Sequence, residues 1–243
     1  MSDQFIFRRI EKKYRITPKQ RTHLLQLVGH RLTPDPHGKS TVCSLYLDTP
    51  DFLLIRNSID AKAYKEKLRL RSYGTPNENS KVFFEIKKKY KGIVYKRRAS
   101  MKLSEAMNYI NGGSPPFESQ IISEIDYAMN YYRRPAPAML IACEREAFFD
   151  TEAPDLRLTF DSDIRYRTCE LSLSKGADGT PLASDIILEV KTGGAMPLWL
   201  AHALDTCSIY PTSFSKYGTA YLRELQMCNE EKTKGEYKNA CNI

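Results

Sequence analysis

The chain is most constrained by segments in which charged and apolar side chains alternate residue by residue. Glu11/Lys13/Arg15, Lys67/Arg69/Arg71, Glu85/Lys87/Lys89, Lys96/Arg98 and Glu189/Lys191 are sets spaced two apart. Ile10/Tyr14, Leu68/Leu70, Phe84/Ile86, Val94 with Ala99, and Leu188/Val190 supply the apolar partners. Successive side chains of an extended chain point to opposite faces, so this period builds strands with one charged face and one apolar face. Strand character covers 5–15, 41–48, 65–73, 82–89, 93–101, 139–149, 157–166, 186–191 and 215–222. Helices are expected from Pro18, after Thr17 as N-cap, to about Val28, over 104–110 from a Ser cap, over 119–132 and over 197–206. So many strands with a few peripheral helices indicate an α+β, mainly β fold. A closed antiparallel β-barrel leaves no exposed edges and is the expected architecture.

Length and composition set the frame around those strands. The 243 residues suit one domain, taken as 1–226, followed by a polar tail over 227–243 that is expected to fray. The Pro/Gly/Asn-rich stretches at 33–40, 74–80, 111–116, 133–137 and 174–181 read as loops. No apolar run is long enough to cross a bilayer, and the N-terminus lacks the pattern of a secretory signal. The expected location is the cytoplasm, with no membrane insertion. The six cysteines show no CxxC pair and the four histidines are scattered, so neither zinc nor a disulfide framework is indicated.

The net charge of +8 and pI of about 9.1 call for an anionic partner. Its class depends on where the charged faces point. One amphipathic strand normally turns its charges to solvent. Several such strands with recurring basic residues admit a second arrangement, in which the charges line an interior and a polyanion offsets their repulsion. Arginine offers forked donors to phosphate oxygens and lysine a compact charge. Interspersed carboxylates suit Mg²⁺ or Mn²⁺, which prefer oxygen donors and bridge phosphates. No Walker loop and no Ser-His-Asp or Cys-His set is present, so covalent catalysis is unsupported. Asp161 and Asp163 fit metal contact, substrate contact or a solvent-facing turn. The bases alternate with acids instead of forming a continuous basic stripe with stacking aromatics, which argues against nucleic acid.

Taken in order, these strands resemble the VTC (vacuolar transporter chaperone) catalytic domain of the triphosphate tunnel metalloenzyme, or CYTH-like, superfamily. The resemblance runs from about Phe7 to Leu222 through Phe7–Arg15 (FRRIEKKYR), Ser44–Thr49 (SLYLDT), Lys67–Arg71 (KLRLR), Phe84–Lys87 (FEIK), Val94–Arg98 (VYKRR), Arg145–Phe148 (REAF), Leu158–Asp161 (LTFD), Ile187–Lys191 (ILEVK) and Phe214–Tyr217 (FSKY). It implies a metal-dependent polyphosphate polymerase that moves the γ-phosphoryl group of ATP to inorganic polyphosphate and releases ADP. Triphosphate hydrolysis, or polyphosphate or nucleotide binding without turnover, are the alternatives. Implied phosphate contacts are Lys13, Arg69, Arg71, Lys87, Lys96, Arg145 and Lys216, with Ser215 and Lys191 on the substrate. Glu189, with Glu11 and Glu85, is the implied holder of Mn²⁺ or Mg²⁺. Cys143 and Ser213 stand where the family often has Tyr and Lys. The family's domain contexts further imply association with a separate membrane protein.

Overall fold

The computed structural model describes residues 10–60, 63–90 and 93–240, without the side chains of His37, Ile93 and 231–240. The first part of the expected opening strand, including Phe7 to Arg9, lies outside the described residues. The alternating segments form one antiparallel sheet. Its strands are β1 (Ile10–Ile16), β2 (Leu32–Asp48), β3 (Tyr64–Tyr73), β4 (Lys81–Tyr90), β5 (Ile93–Lys102), β6 (Ala136–Asp150), β7 (Arg157–Arg167), β8 (Thr180–Ala183) and β9 (Ile186–Thr192). The order is β1-β9-β7-β6-β2-β3-β4-β5, with β8 paired to β7.

The sheet curls without closing into a barrel. β1 and β5 stand at its two ends, and among the described residues no ladder joins them. A side-chain bridge brings the ends together instead: Lys87 of β4 lies 3.6 Å from Glu11 of β1. The expected closed barrel is corrected accordingly. Charged edge strands are an alternative to closure as protection against unwanted pairing. β5 carries Lys96, Arg97 and Arg98 in succession, and β1 carries Glu11, Lys12 and Lys13.

Helices cover the convex side of the sheet, where the apolar residues point. α1 (Pro18–Val28) starts at a capping box between Thr17 and Gln20. With α5 (Leu198–Thr206) it buries Leu24, Val28, Leu200 and Leu204 against Tyr14, Ile16, Leu158, Phe160, Leu188 and Val190. α3 (Leu103–Ile110) and α4 (Gln120–Tyr131) cover Leu45, Leu68, Leu70, Phe84 and Ile86 in the same way. Burial of each such side chain contributes roughly 1.5–3 kcal/mol. The apolar faces are thus spent on the outside, and the charged faces turn to the concave side.

One end of the concave side is apolar. There α6 (Lys216–Ala240) inserts Tyr217, Ala220 and Tyr221 among Val42, Tyr46, Ile141, Ile164, Tyr166 and Ile187, joined by Ile55 of α2 (Leu53–Ile59). The expected strand over 215–222 is therefore the start of a helix. Ser215 caps it, its Oγ accepting from the Gly218 amide at 3.2 Å. Apolar residues then follow at helical spacing. The helix runs on to Ala240, past the boundary drawn at 226, and Gln226 donates to Glu230 one turn later at 3.0 Å. α2 was not expected. Its first amides are held by the buried Asp48 carboxylate, which accepts from Leu54 N at 2.9 Å and Ile55 N at 3.1 Å.

Candidate functional site: the charged concave face

Beyond the α6 plug, the concave face carries three groups of charge. The first lies on β1 and β9. Their register sets Glu11 opposite Lys191 and Lys13 opposite Glu189, a checkerboard of sign. Lys13 Nζ lies 3.4 Å from Glu189 and 3.6 Å from Glu11, and Lys191 lies 3.1 Å from Glu189. Lys13 also donates to the Phe214 carbonyl at 3.1 Å, which ties this group to the segment before α6. Burial works against charge on Glu189, but Lys191, Lys13, Lys216 and Arg145 outweigh it and hold the carboxyl well below its usual range.

The second group centres on Glu85 of β4, 1% exposed. Its carboxylate lies 2.6 Å from Arg69, 2.8 Å from Lys96 and 3.9 Å from Arg71. Burial would raise its pKa, and the three cations overturn that and push it far down. Lys67, Lys87 and Lys96 stand directly opposite one another across β3, β4 and β5. Like charges in such register repel. Burial, opposed by Tyr46 and assisted by Lys13, Lys87 and Arg69, brings Lys67 down to about 8. Burial likewise lowers Lys87, against the pull of Glu11.

The third group joins β6, β7 and α6. Asp161 is fully buried and accepts two bonds from Arg145, each 2.6 Å, together with a short one from Lys216. Burial disfavours its charge, but Lys216 and Arg145 keep its pKa low. Lys216 is thereby held charged despite its own burial. Ser215 beside it accepts from Lys67 at 2.9 Å, which links this group to the row of lysines.

Every expected site residue lies on this one face: Lys13, Arg69, Arg71, Lys87, Lys96, Arg145, Lys216, Ser215, Lys191, Glu189, Glu11 and Glu85. Glu85 is engaged by arginine and lysine, whereas Glu11 and Glu189 share the ammonium of Lys13. Asp161 is a clamp for two cations, and Asp163 turns outward to Arg165 at 2.9 Å. Lys67 and Tyr46 also belong to the face. Strand parity with Arg69 and Ser44 is the signal that finds them. Cys143 sits in the apolar end, and burial pushes its thiol up to about 11, so it offers no thiolate.

The VTC domain family model matches residues 8–224. Several solved structures share the fold. A putative adenylate cyclase from Bacillus halodurans has a TM-score of 0.54 at 14% identity, over 85% of this chain and 92% of that one. A putative adenylyl cyclase from Hippeastrum, described as having a dominant triphosphatase activity, has a TM-score of 0.53 at 15% identity, over 86% of this chain and 93% of its own. A putative adenylate cyclase from Vibrio parahaemolyticus has a TM-score of 0.50 at 14% identity, over 90% and 99% of the two chains. No protein of curated function matches the sequence.

Proposed function

The chain belongs to the VTC domain family, and from that premise we propose that it is a polyphosphate polymerase, transferring the γ-phosphoryl group of ATP to the end of an inorganic polyphosphate. The observation that carries this reading is the row Lys67, Lys87 and Lys96, three ammonium groups abreast on adjacent strands and turned inward. Within the chain Lys96 has Glu85 at 2.8 Å and Lys87 has Glu11 at 3.6 Å, and a chain of phosphates, charged at every unit, would match the whole row. Arg69, Arg71, Arg145 and Lys216 add donors on either side.

The acidic residues accord with phosphate as the acceptor. Glu11, Glu85, Asp161 and Glu189 are all held below their usual pKa by neighbouring cations. A carboxylate so held is a weak general base, so an attacking water would gain little from one here. The terminal oxygen of a polyphosphate is already anionic and needs none. It forms the new P–O bond as the bond between the β,γ-bridging oxygen and the γ-phosphorus breaks, and ADP leaves. The residues act by holding both phosphate chains in line and by stabilising charge on the transferring group.

Divalent metal belongs to this reading. Among the described residues no three carboxylate, histidine or cysteine side chains form a ready cage. Mg²⁺ and Mn²⁺ commonly need only one or two carboxylates besides waters and substrate phosphates. Glu189 and Glu11 fit: Lys13 lies within 3.6 Å of both, and Lys191 and Lys87 are their other partners, so cations already occupy the place a metal would take. Glu85 has one oxygen on Arg69 and the other, buried and without a hydrogen-bond donor, in an ion pair with Lys96. A divalent ion held by Glu189 and Glu11 would supply Lewis-acid stabilisation of phosphate charge. The proposed partners are ATP and inorganic polyphosphate or triphosphate, with a cytoplasmic location and a separate membrane protein to receive the product. Among the described residues, no helix is long and apolar enough to cross a membrane.

The test is incubation with ATP, Mn²⁺ and a short polyphosphate primer. The reading expects ADP and a lengthened polymer that an exopolyphosphatase digests. ADP with orthophosphate alone replaces it by hydrolysis, and unchanged ATP with retained affinity for polyphosphate leaves a binding module.

A further inference from the structure

The β2 stripe Ser44, Tyr46 and Asp48 is the motif to which the functional reading gives no role. Two of its members have structural partners. Ser44 Oγ accepts from Arg71 Nε at 3.3 Å, and Asp48 accepts from the α2 amides and from the Tyr217 hydroxyl at 2.8 Å. Tyr46 is placed differently. It is 7% exposed, at the boundary between the apolar plug and the charged face. Its ring is fixed by stacking on Tyr217, with centroids 4.5 Å apart and planes at 23°. Its hydroxyl accepts from Arg69 Nη1 at 3.2 Å. Among the described residues it donates to no carboxylate or carbonyl, so its own proton is unspent. Lys67, Arg69 and Arg71 face it from β3, with Tyr217 from α6. Burial alone would raise the phenol, and those three cations bring it down to about 8.

A rigid phenol with an unused O–H, set among cations, suits an anionic oxygen. We infer that Tyr46 is a substrate-binding residue, donating its O–H to a phosphate oxygen of a triphosphate or polyphosphate held by Lys67 and Arg69. The inference rests on the polyphosphate reading above and adds to it a neutral donor among the charged ones. A hydrogen bond to a charged oxygen contributes more than a neutral pair.

The experiment is calorimetric titration of inorganic triphosphate into the wild type, Tyr46→Phe and Arg69→Ala at neutral pH. Tyr46→Phe is expected to bind about tenfold or more weakly, while the free protein melts about 2–4 °C lower, because the ring stack remains and only the Arg69 contact is lost. A second readout is phenolate absorbance as pH rises. The wild type is expected to show one early-ionising tyrosine that Tyr46→Phe lacks. Triphosphate is expected to move that step to higher pH, because a bound anion disfavours the phenolate. If Tyr46→Phe binds as the wild type does, or triphosphate leaves the early step in place, the contact is overturned and the polyphosphate reading stands. If the wild type binds no triphosphate, both fall.

Discussion

Replacing Glu85 by Gln removes the one negative charge at the centre of Arg69, Arg71 and Lys96 while keeping the shape of the side chain. The carboxylate is 1% exposed and its arginine partner 17%, so solvent does little to screen the loss. Breaking a buried pair by removing one partner typically costs about 3–5 kcal/mol. The amide still offers an oxygen, which places this case near 3 kcal/mol. In a domain of this size each kcal/mol moves the midpoint by roughly 2–4 °C, so the free variant should melt about 6–12 °C below the wild type. Inorganic triphosphate should then stabilise the variant more than the wild type, because the ligand supplies the missing charge. The wild-type contribution has its own pH signature. The folded pKa lies below the ordinary 4.5, so the stability is present above that value and is lost as pH falls through the folded one. Thermal melts by circular dichroism, with and without triphosphate, measure both effects. A shift under about 2 °C, or equal stabilisation of the two proteins by triphosphate, refutes the reasoning.

Other expectations follow from the same geometry. Lys67 titrates near 8 in the fold, against an ordinary 10.5. Between those values the unfolded chain holds the proton more readily, so this residue's contribution to the stability of the free protein rises with pH while triphosphate affinity falls; paired melts and titrations across that window test the opposite signs. Glu189→Ala should weaken Mn²⁺ binding in the presence of triphosphate by about tenfold or more, seen by electron paramagnetic resonance of the free ion, and unaltered binding would remove Glu189 from the metal site. Asp161→Asn should loosen Arg145 and Lys216 together, raising KM for ATP and lowering the melting temperature. A kinetic effect without any thermal one would contradict its role as a buried clamp.

Much of the fold was legible because the alternation in β3, β4 and β9 leaves little choice of structure. Parity alone put Lys67, Arg69 and Arg71 on one face. What parity could not tell was which face is inside. The answer came from the apolar residues of α1, α3, α4 and α5, which claim the convex side. The start of α6 was misread because Ser215 to Leu222 mixes Gly, Thr and Tyr, and its amphipathic period shows only once Tyr217, Ala220 and Tyr221 have a surface to face. α2 escaped notice because the capping oxygens of Asp48 reach amides six and seven residues on. Closure was overestimated for a related reason: a charged edge strand and a paired one look alike in sequence. At the site, strand parity marks Arg69, and Arg145 and Lys216 are legible only through the family resemblance of REAF and FSKY. Asp161 as the clamp of Arg145 and Lys216, and Tyr46 as the neighbour of Arg69, show only in the folded structure.

The central claim is that phosphate lies on the concave face, across the row of lysines. A crystal structure of the protein grown with Mn²⁺ and inorganic triphosphate tests it most directly. The account predicts phosphates among Lys67, Lys87, Lys96, Arg69, Arg145 and Lys216, with the metal at Glu189. Triphosphate bound only on the convex surface, with the concave ion pairs intact, would contradict it.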